Sequence, residues 1–390
     1  MTPRIARPGL CVAAATLCAL LGLALQWLVV NVRYGGEWTA LFCTGSKFPP
    51  PPVLAAEKIH IFPGSAGYDG QMYHYAAHDP LLRTDIGRYM DSSRVRYGRI
   101  LLPATAFLLA FGRQAGIDSA YIAANLLFLF LGAWWLSRYF DLLGIHPLWA
   151  ALLVLAPASL VSLERLTVDL TFLALCIGFA LYVAQRQDAR AYVALALACL
   201  ARDTGFALAA AACLSLSVER RFAKAAALAT AVIPAAAWYR YVGLRTPAAP
   251  GQDLWQWIPL RGILGAMLDP MAYGLGGTVE AGLRWLDRLA LLGFLLAVLL
   301  AAWLVRRNGF GQLEAAMALW SCLGLCLPRA FWADCYSGAR VFTPLLIYVV
   351  ALGPPLARWR GMAPLLLVAP RVAVQVFAPL LVAMGSPASR

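Results

Sequence analysis

Charge is scarce in this chain. Of its 390 residues only 13% are Asp, Glu, Lys or Arg, where about a quarter is usual for a soluble domain. Lysine is nearly missing: Lys47, Lys58 and Lys224 are three of 32 basic residues, so arginine carries almost all the positive charge. The nine cysteines form no CxxC and no paired zinc spacing, which excludes a zinc ribbon and a secreted disulfide scaffold. No internal repeat is visible, so the inverted-repeat signature of many transporters is missing.

What is present is apolar: 62% of residues are hydrophobic and the mean hydropathy is +0.70. Disorder, a coiled coil and most soluble enzymes are thereby excluded. The chain reads as an all-α, polytopic transmembrane protein, a single domain of about 9–12 membrane helices by apolar segments. Its formal charge of +13 would suggest nucleic acid in a soluble protein. In a membrane protein, cytoplasmic loops collect Lys and Arg, and no nucleic-acid partner is expected.

Arg4 and Arg7 precede an apolar run over 8–30. That run is longer than the ~7–15-residue core of a signal peptide and long enough to span a bilayer. It reads as a retained first helix with its basic end inside. A stretch without a span follows over 31–97, including the stiff Pro49–Pro52 run. Central apolar segments occupy 99–242, at about 99–112, 119–137, 146–161, 170–185, 191–203, 205–217 and 223–242. A second polar-aromatic stretch covers 243–288. C-terminal segments at 289–305, 312–328, 341–356 and 363–384 complete the chain.

Basic loops orient it. Arg186 with Arg190, the Glu219–Lys224 cluster, Arg306 with Arg307, and Arg358 with Arg360 are expected on the cytoplasmic side. These agree if 191–217 is a hairpin of short helices turning at Arg202–Gly205. They place 162–169, 243–288 and 329–340 outside, and the basic start of the first helix places 31–97 outside as well. One segment between 99 and 161 must then fail to cross, and 99–112 is the shortest, about 21 Å as helix. Cys43 and Cys335 fall in these outer loops, where a disulfide is open to them.

The first loop carries the polar chemistry. Residues 68–80 read YDGQMYHYAAHDP. As a helix over 69–78, one face takes Asp69, Met72, Tyr73 and Ala76, and another takes Gln71, His74 and His78. Tyr68, Tyr73 and Tyr75 suit a helix lying at a membrane surface. Asp69 serves equally well as a simple cap. His74 and His78 have the spacing of two metal ligands on a helix. No Glu follows to make HExxH and no third ligand is evident, so satisfied or solvent-facing histidines are expected.

Arg83, Arg88, Arg94, Arg96 and Arg99 then accumulate. Arginine binds phosphate with fixed, bidentate geometry, and a phosphate-bearing lipid accounts for the cluster. Pairing with Asp79, Asp85 and Asp91 accounts for single members equally well. Arg202, Asp203 and Arg371 interrupt apolar runs, which marks functional positions by default. Asp334 and Arg340 sit at the mouth of a late helix, and Glu164 and Asp169 in another outer loop.

An arginine-lined outer face with one carboxylate suits sugar transfer from a polyprenyl-phosphate donor. A glycosidase needs a general acid besides its second carboxylate. A lipid phosphate leaves as a stabilised anion, so arginine replaces the acid and one carboxylate serves as base.

In layout, and in Tyr68-Asp69-Gly70-Gln71 followed by Arg-Tyr-Gly-Arg at 96–99, the chain resembles bacterial GT-C superfamily glycosyltransferases. LARDTG around Arg202 and GARVFTP around Arg340 resemble late elements of that family. The resemblance implies a GT-C-like fold, with interfacial helices and the catalytic acid in the first outer loop. That acid maps to Asp69. Arg96, Arg99, Arg202 and Arg340 are then expected to hold the donor phosphate, and Tyr68, Gln71, Tyr73 and His74 to meet sugar or acceptor. Some members carry a second acid after the first; Gly70 and Gln71 stand there here, so no metal or other cofactor is expected. The implied partners are the polyprenyl-phosphate sugar, a glycan or lipid acceptor and membrane lipids, at the inner membrane. A flippase or exporter of a lipid-linked glycan precursor, or a non-catalytic subunit of a glycan-assembly complex, would use the same arginines without chemistry.

The topology is open to direct test. A cysteine placed within 31–97 of a cysteine-free protein should label with an impermeant thiol reagent in intact cells. Labelling only after permeabilisation would put the loop, and its candidate site, on the wrong side.

Overall fold

A computed structural model describes residues 7–55, 57–248, 257–352 and 358–385. Arg4, the 249–256 part of the second polar stretch and the end of the 341–356 segment lie outside the described residues. Among the described residues the chain is all-α apart from a two-residue parallel pairing of Thr44–Gly45 with Ile61–Phe62. The helices are α1 (Pro8–Tyr34), α2 (Asp69–His78), α3 (Ser93–Gly98), α4 (Leu101–Leu109), α5 (Ile117–Leu142) and α6 (Pro157–Arg165). There follow α7 (Asp169–Ala184), α8 (Asp188–Ala201), α9 (Thr204–Val218), α10 (Phe222–Ala229), α11 (Ile233–Arg245) and α12 (Arg261–Leu268). The last are α13 (Gly277–Asn308), α14 (Gln312–Leu325), α15 (Arg329–Ala333), α16 (Cys335–Val341), α17 (Thr343–Leu352) and α18 (Arg358–Gly385).

This is a multi-pass membrane protein by the length and apolarity of its helices. Among the described residues five helical stretches are long and apolar enough to cross a bilayer: Pro8–Tyr34, Gln114–Leu142, Phe222–Arg245, Gly277–Asn308 and Arg360–Gly385. Two pairs bent by 54°, Pro147–Leu155 with α6 and α16 with α17, bring the total to seven if each is one span. That is fewer than the nine to twelve expected. Several apolar segments are too short: α7 and α9 have 16 and 15 residues, and α4 has nine. Their apolarity meets protein instead. Every residue of α7 from Asp169 to Leu181 is buried, between α5 on one side and α8 on the other.

α1 starts with Pro8 in its first turn and stops where Gly35 turns left-handed (φ 58°). It packs on α5. The hairpin expected at 191–217 is α8 and α9, separated by Arg202 and Asp203. A Cβ on Gly205 would strike the Ala198 carbonyl, so only glycine lets the helices turn this tightly. Arg186, Asp188, Glu219, Arg221 and Lys224 line one cleft of about 1070 Å³, which puts the basic loops of 186–190 and 219–224 on one side. The second polar stretch is shorter than expected, because α13 already begins at Gly277. Cys43 and Cys335 are buried free thiols, without a disulfide.

The C-terminal pair α13 and α18 is fastened by a buried polar knot. Arg371 donates through Nε to Asp287 (2.7 Å) and through Nη2 to the Tyr273 hydroxyl (3.0 Å), which itself donates to Asp287 (2.7 Å). Both charged side chains are 2% exposed or less. Arg371 thus has a structural partner and takes no part in the arginine cluster described below.

Removing one member of a buried pair strands the other charge at a cost of about 3–5 kcal/mol. Asp287→Ala should lower Tm sharply in detergent, and adding Arg371→Met should restore most of the loss. Equal Tm for wild type and Asp287→Ala would contradict the pairing.

Candidate functional site

The elements named from sequence meet at one place. The first turn of α2, the end of α3, the first turn of α7, the break between α8 and α9, and α16 converge, and their charges alternate. Asp91 holds Arg96 by two contacts, at 3.0 and 2.6 Å. Arg96 reaches Asp69 Oδ1 at 2.9 Å, and Arg340 reaches Asp69 Oδ2 at 2.5 Å. The other arm of Arg340 lies 3.2 Å from Asp169 Oδ2, while Arg202 pairs with Asp169 Oδ1. Arg202 Nε stands 3.7 Å from Asp203, whose other oxygen accepts from Arg99 at 3.0 Å. Arg99 ends the chain by donating to the Tyr73 hydroxyl at 3.1 Å.

Alternation makes the burial tolerable, since Arg96, Arg340 and Arg202 each lie between two carboxylates and Arg99 has one. The middle is dry, with Asp169 2% exposed, whereas Asp69 is 18% and Asp203 51% exposed. Burial would raise the Asp69 carboxyl, but Arg340 and then Arg96 hold it well below the usual carboxylate range. The guanidinium donors are not all used. The Nε groups of Arg99, Arg202 and Arg340 are buried without a hydrogen-bond acceptor, which is costly unless a ligand supplies one.

Gly70 explains its place in the Tyr-Asp-Gly-Gln motif. A Cβ there would strike the Arg165 carbonyl and lie 3.2 Å from the Phe42 carbonyl. Only glycine lets the start of α2 lie against the end of α6 and carry Asp69 to Arg340.

All four arginines expected at the phosphate therefore gather around Asp69. Tyr68 and Tyr73 join them: Arg340 lies 5.0 Å over the Tyr68 ring and Arg96 5.5 Å over the Tyr73 ring. Gln71 does not. It is buried and ties α2 to the preceding loop, accepting from Gly45 N (3.0 Å) and donating to the Phe48 carbonyl and Tyr75 hydroxyl. His74 faces away, toward Asp118. Every residue of the helix from Gly70 to His78 is buried in protein, so its tyrosines pack against protein. Arg94 is spent on the Gly243 and Thr246 carbonyls of α11, both at 2.9 Å. Asp79 ends α2 by accepting from the backbone of Arg83 and Thr84.

Asp169 and Asp203 belong to this site as closely as Asp69, Asp203 as an acid that interrupts an apolar run and Asp169 as an acid of the outer loop over 162–169. Beside the chain, Glu164 is a second buried acid, held by Arg33 (2.8 Å) and by the Tyr336 hydroxyl (3.0 Å).

At the other end of α2, His74 and His78 acquire the partners that spacing does not reveal. Glu57 and Asp118 bring carboxylates to them, and one ligand atom from each of the four lies within 4.8 Å of the others. Burial, then the Asp118 charge, pushes Glu57 up to about 7. Burial and the adjoining His74 hold His78 down to about 4.

Compared with protein-family models, with curated proteins and with solved structures, the chain matches none.

The lowered Asp69 carboxyl has a consequence for stability. Its folded value lies below the unfolded one of about 3.9. The stabilisation is therefore present above that pH and drains as pH falls below it, at about 1.4 kcal/mol per unit for one proton. The Tm of wild type should fall more steeply below about pH 4 than that of Asp69→Asn, whose Tm is already lower at neutral pH. Parallel Tm profiles between pH 3 and 7 would contradict the ion pairing.

Proposed function

We propose that the protein is a glycosyltransferase that moves a sugar from a polyprenyl-phosphate donor to a cell-surface glycan or lipid acceptor, at the outer face of the inner membrane. The observation that carries this reading is the set of unused guanidinium donors on Arg99, Arg202 and Arg340, beside a partly exposed carboxylate. Buried N–H groups without acceptors favour an anionic ligand, and phosphate matches the arginine fork. The resemblance to GT-C enzymes supplies the rest of the assignment.

The chemistry follows from charge. A polyprenyl-phosphate sugar is a phosphodiester with one negative charge. On transfer the bond between the sugar's anomeric carbon and the phosphate oxygen breaks, and the bond to the acceptor oxygen forms. The acceptor's proton passes to Asp69, and the phosphate leaves as a monoester with a second negative charge. Arg99, Arg202 and Arg340 stabilise that added charge where it develops.

Asp69 between two arginines is a weak base, since efficiency peaks when the base's pKa lies near the operating pH. Donor binding corrects this. A phosphate that draws Arg340 away removes the strongest interaction holding the carboxyl down, so Asp69 rises toward its ordinary range. On this reading Tyr68, half-buried against Arg340, would meet sugar or acceptor, whereas Tyr73 is fully buried and its hydroxyl is taken by Arg99.

With purified protein and a labelled polyprenyl-phosphate sugar, Asp69→Asn should lose transfer by about 10²–10⁴-fold, the usual worth of a general base, and still bind donor. Asp79→Asn should cost far less. Arg340→Lys keeps the charge but not the fork, and should weaken donor binding. Near-wild-type transfer by Asp69→Asn would overturn the mechanism. Donor binding by wild type without sugar release would favour the flippase reading or a non-catalytic subunit.

A further inference from the structure

We propose that Glu57, His74, His78 and Asp118 form a binding site for a divalent zinc-class cation that fastens α2 to the start of α5. The site is separate from the Asp69 arginines and does not rest on the transferase reading.

The contacts leave the cluster with more acceptors than protons. His78 Nδ1 lies 2.6 Å from Gln114 Oε1, while the Gln114 amide donates to the His78 carbonyl at 3.1 Å. That fixes the amide, so His78 carries its proton on Nδ1 and turns the lone pair of Nε2 into the cluster. Outer hydrogen bonds of this kind orient histidines that bind metals. His74 Nε2 lies 3.1 Å from His78 Nε2 and 2.6 Å from Asp118 Oδ1, so one N–H is shared between two acceptors. Glu57 Oε2 is buried with no hydrogen-bond partner at all, its Oε1 3.6 Å from the His78 ring, and His74 ligating through Nε2 would carry its proton on Nδ1. A cation supplies what the lone pairs lack.

The spacing suits a small ion. The three converging atoms are 2.6, 3.1 and 4.0 Å apart, around the roughly 3.3 Å between neighbouring ligands of tetrahedral zinc. Two imidazoles with carboxylates favour zinc over calcium or magnesium, which take oxygen ligands. The His74 ring is held in place by stacking on Phe42, 3.9 Å between centroids. Access is through Asp118, 29% exposed, which lines a cleft of about 780 Å³ with Glu37, Lys58 and His60.

Full-length protein carrying no histidine tag, purified in detergent and stripped with chelator, should rebind close to one zinc per chain, read by elemental analysis and equilibrium titration. Its Tm should rise on zinc addition. X-ray absorption of the wild-type zinc form should show two imidazoles and oxygen neighbours at about 2.0–2.1 Å. Asp118→Asn, close to isosteric at the rim, should weaken zinc binding by about tenfold or more, and His78→Gln should abolish it. Stripped wild type with no saturable zinc binding would overturn the proposal. So would a zinc signal without imidazole neighbours, which requires no variant to fold.

Discussion

Everything at the candidate site depends on one electrostatic constraint: arginines and aspartates buried together must alternate. Asp91, Arg96, Asp69, Arg340, Asp169, Arg202, Asp203 and Arg99 follow one another in space. They come from five separate stretches of the chain. Taking any charge from that order strands its neighbours in a low-dielectric interior, so the helix ends bearing them are held together by mutual need. The constraint also tunes chemistry. Flanking guanidinium groups hold the Asp69 carboxyl well below the usual carboxylate range.

The same logic divides structural charges from available ones. Arg371 is satisfied by Asp287 and Tyr273 and closes a helix pair. Arg94 is satisfied by backbone carbonyls. Arg99, Arg202 and Arg340 retain buried donors without acceptors, and they border a carboxylate that solvent reaches. Position inside an apolar segment therefore marks a costly group, but only the inventory of its partners says whether a ligand is wanted.

Much of this is legible in the sequence because it is local. The helix at Asp69–His78 follows from a ten-residue stretch with an acid at its start and neither glycine nor proline after Gly70. The α8–α9 turn follows from Arg202, Asp203 and Gly205 interrupting an apolar run. What escapes is set by tertiary packing. Tyr73 and Tyr75 look like residues of an interfacial helix, yet both are fully buried, because α2 is enclosed by α4, α5 and the preceding loop. Gln71 and His74 lie on the wrong face to meet a ligand at Asp69. Apolar segments such as α7 resemble membrane spans although they bury their surface against helices. Glu57 and Asp118 lie 17 and 44 residues from His74, a separation no spacing rule covers.

The exchange of Arg340 between Asp69 and phosphate is the step on which the functional reading turns. It is most directly tested by an experimental structure of the protein in nanodiscs with a non-hydrolysable phosphonate analogue of a polyprenyl-phosphate sugar. The expected result has the phosphonate oxygens on Arg340 and Arg99, the Arg340–Asp69 pair of 2.5 Å opened, and Asp69 facing the anomeric carbon. A bound analogue that leaves that pair closed and sits away from these arginines would contradict it.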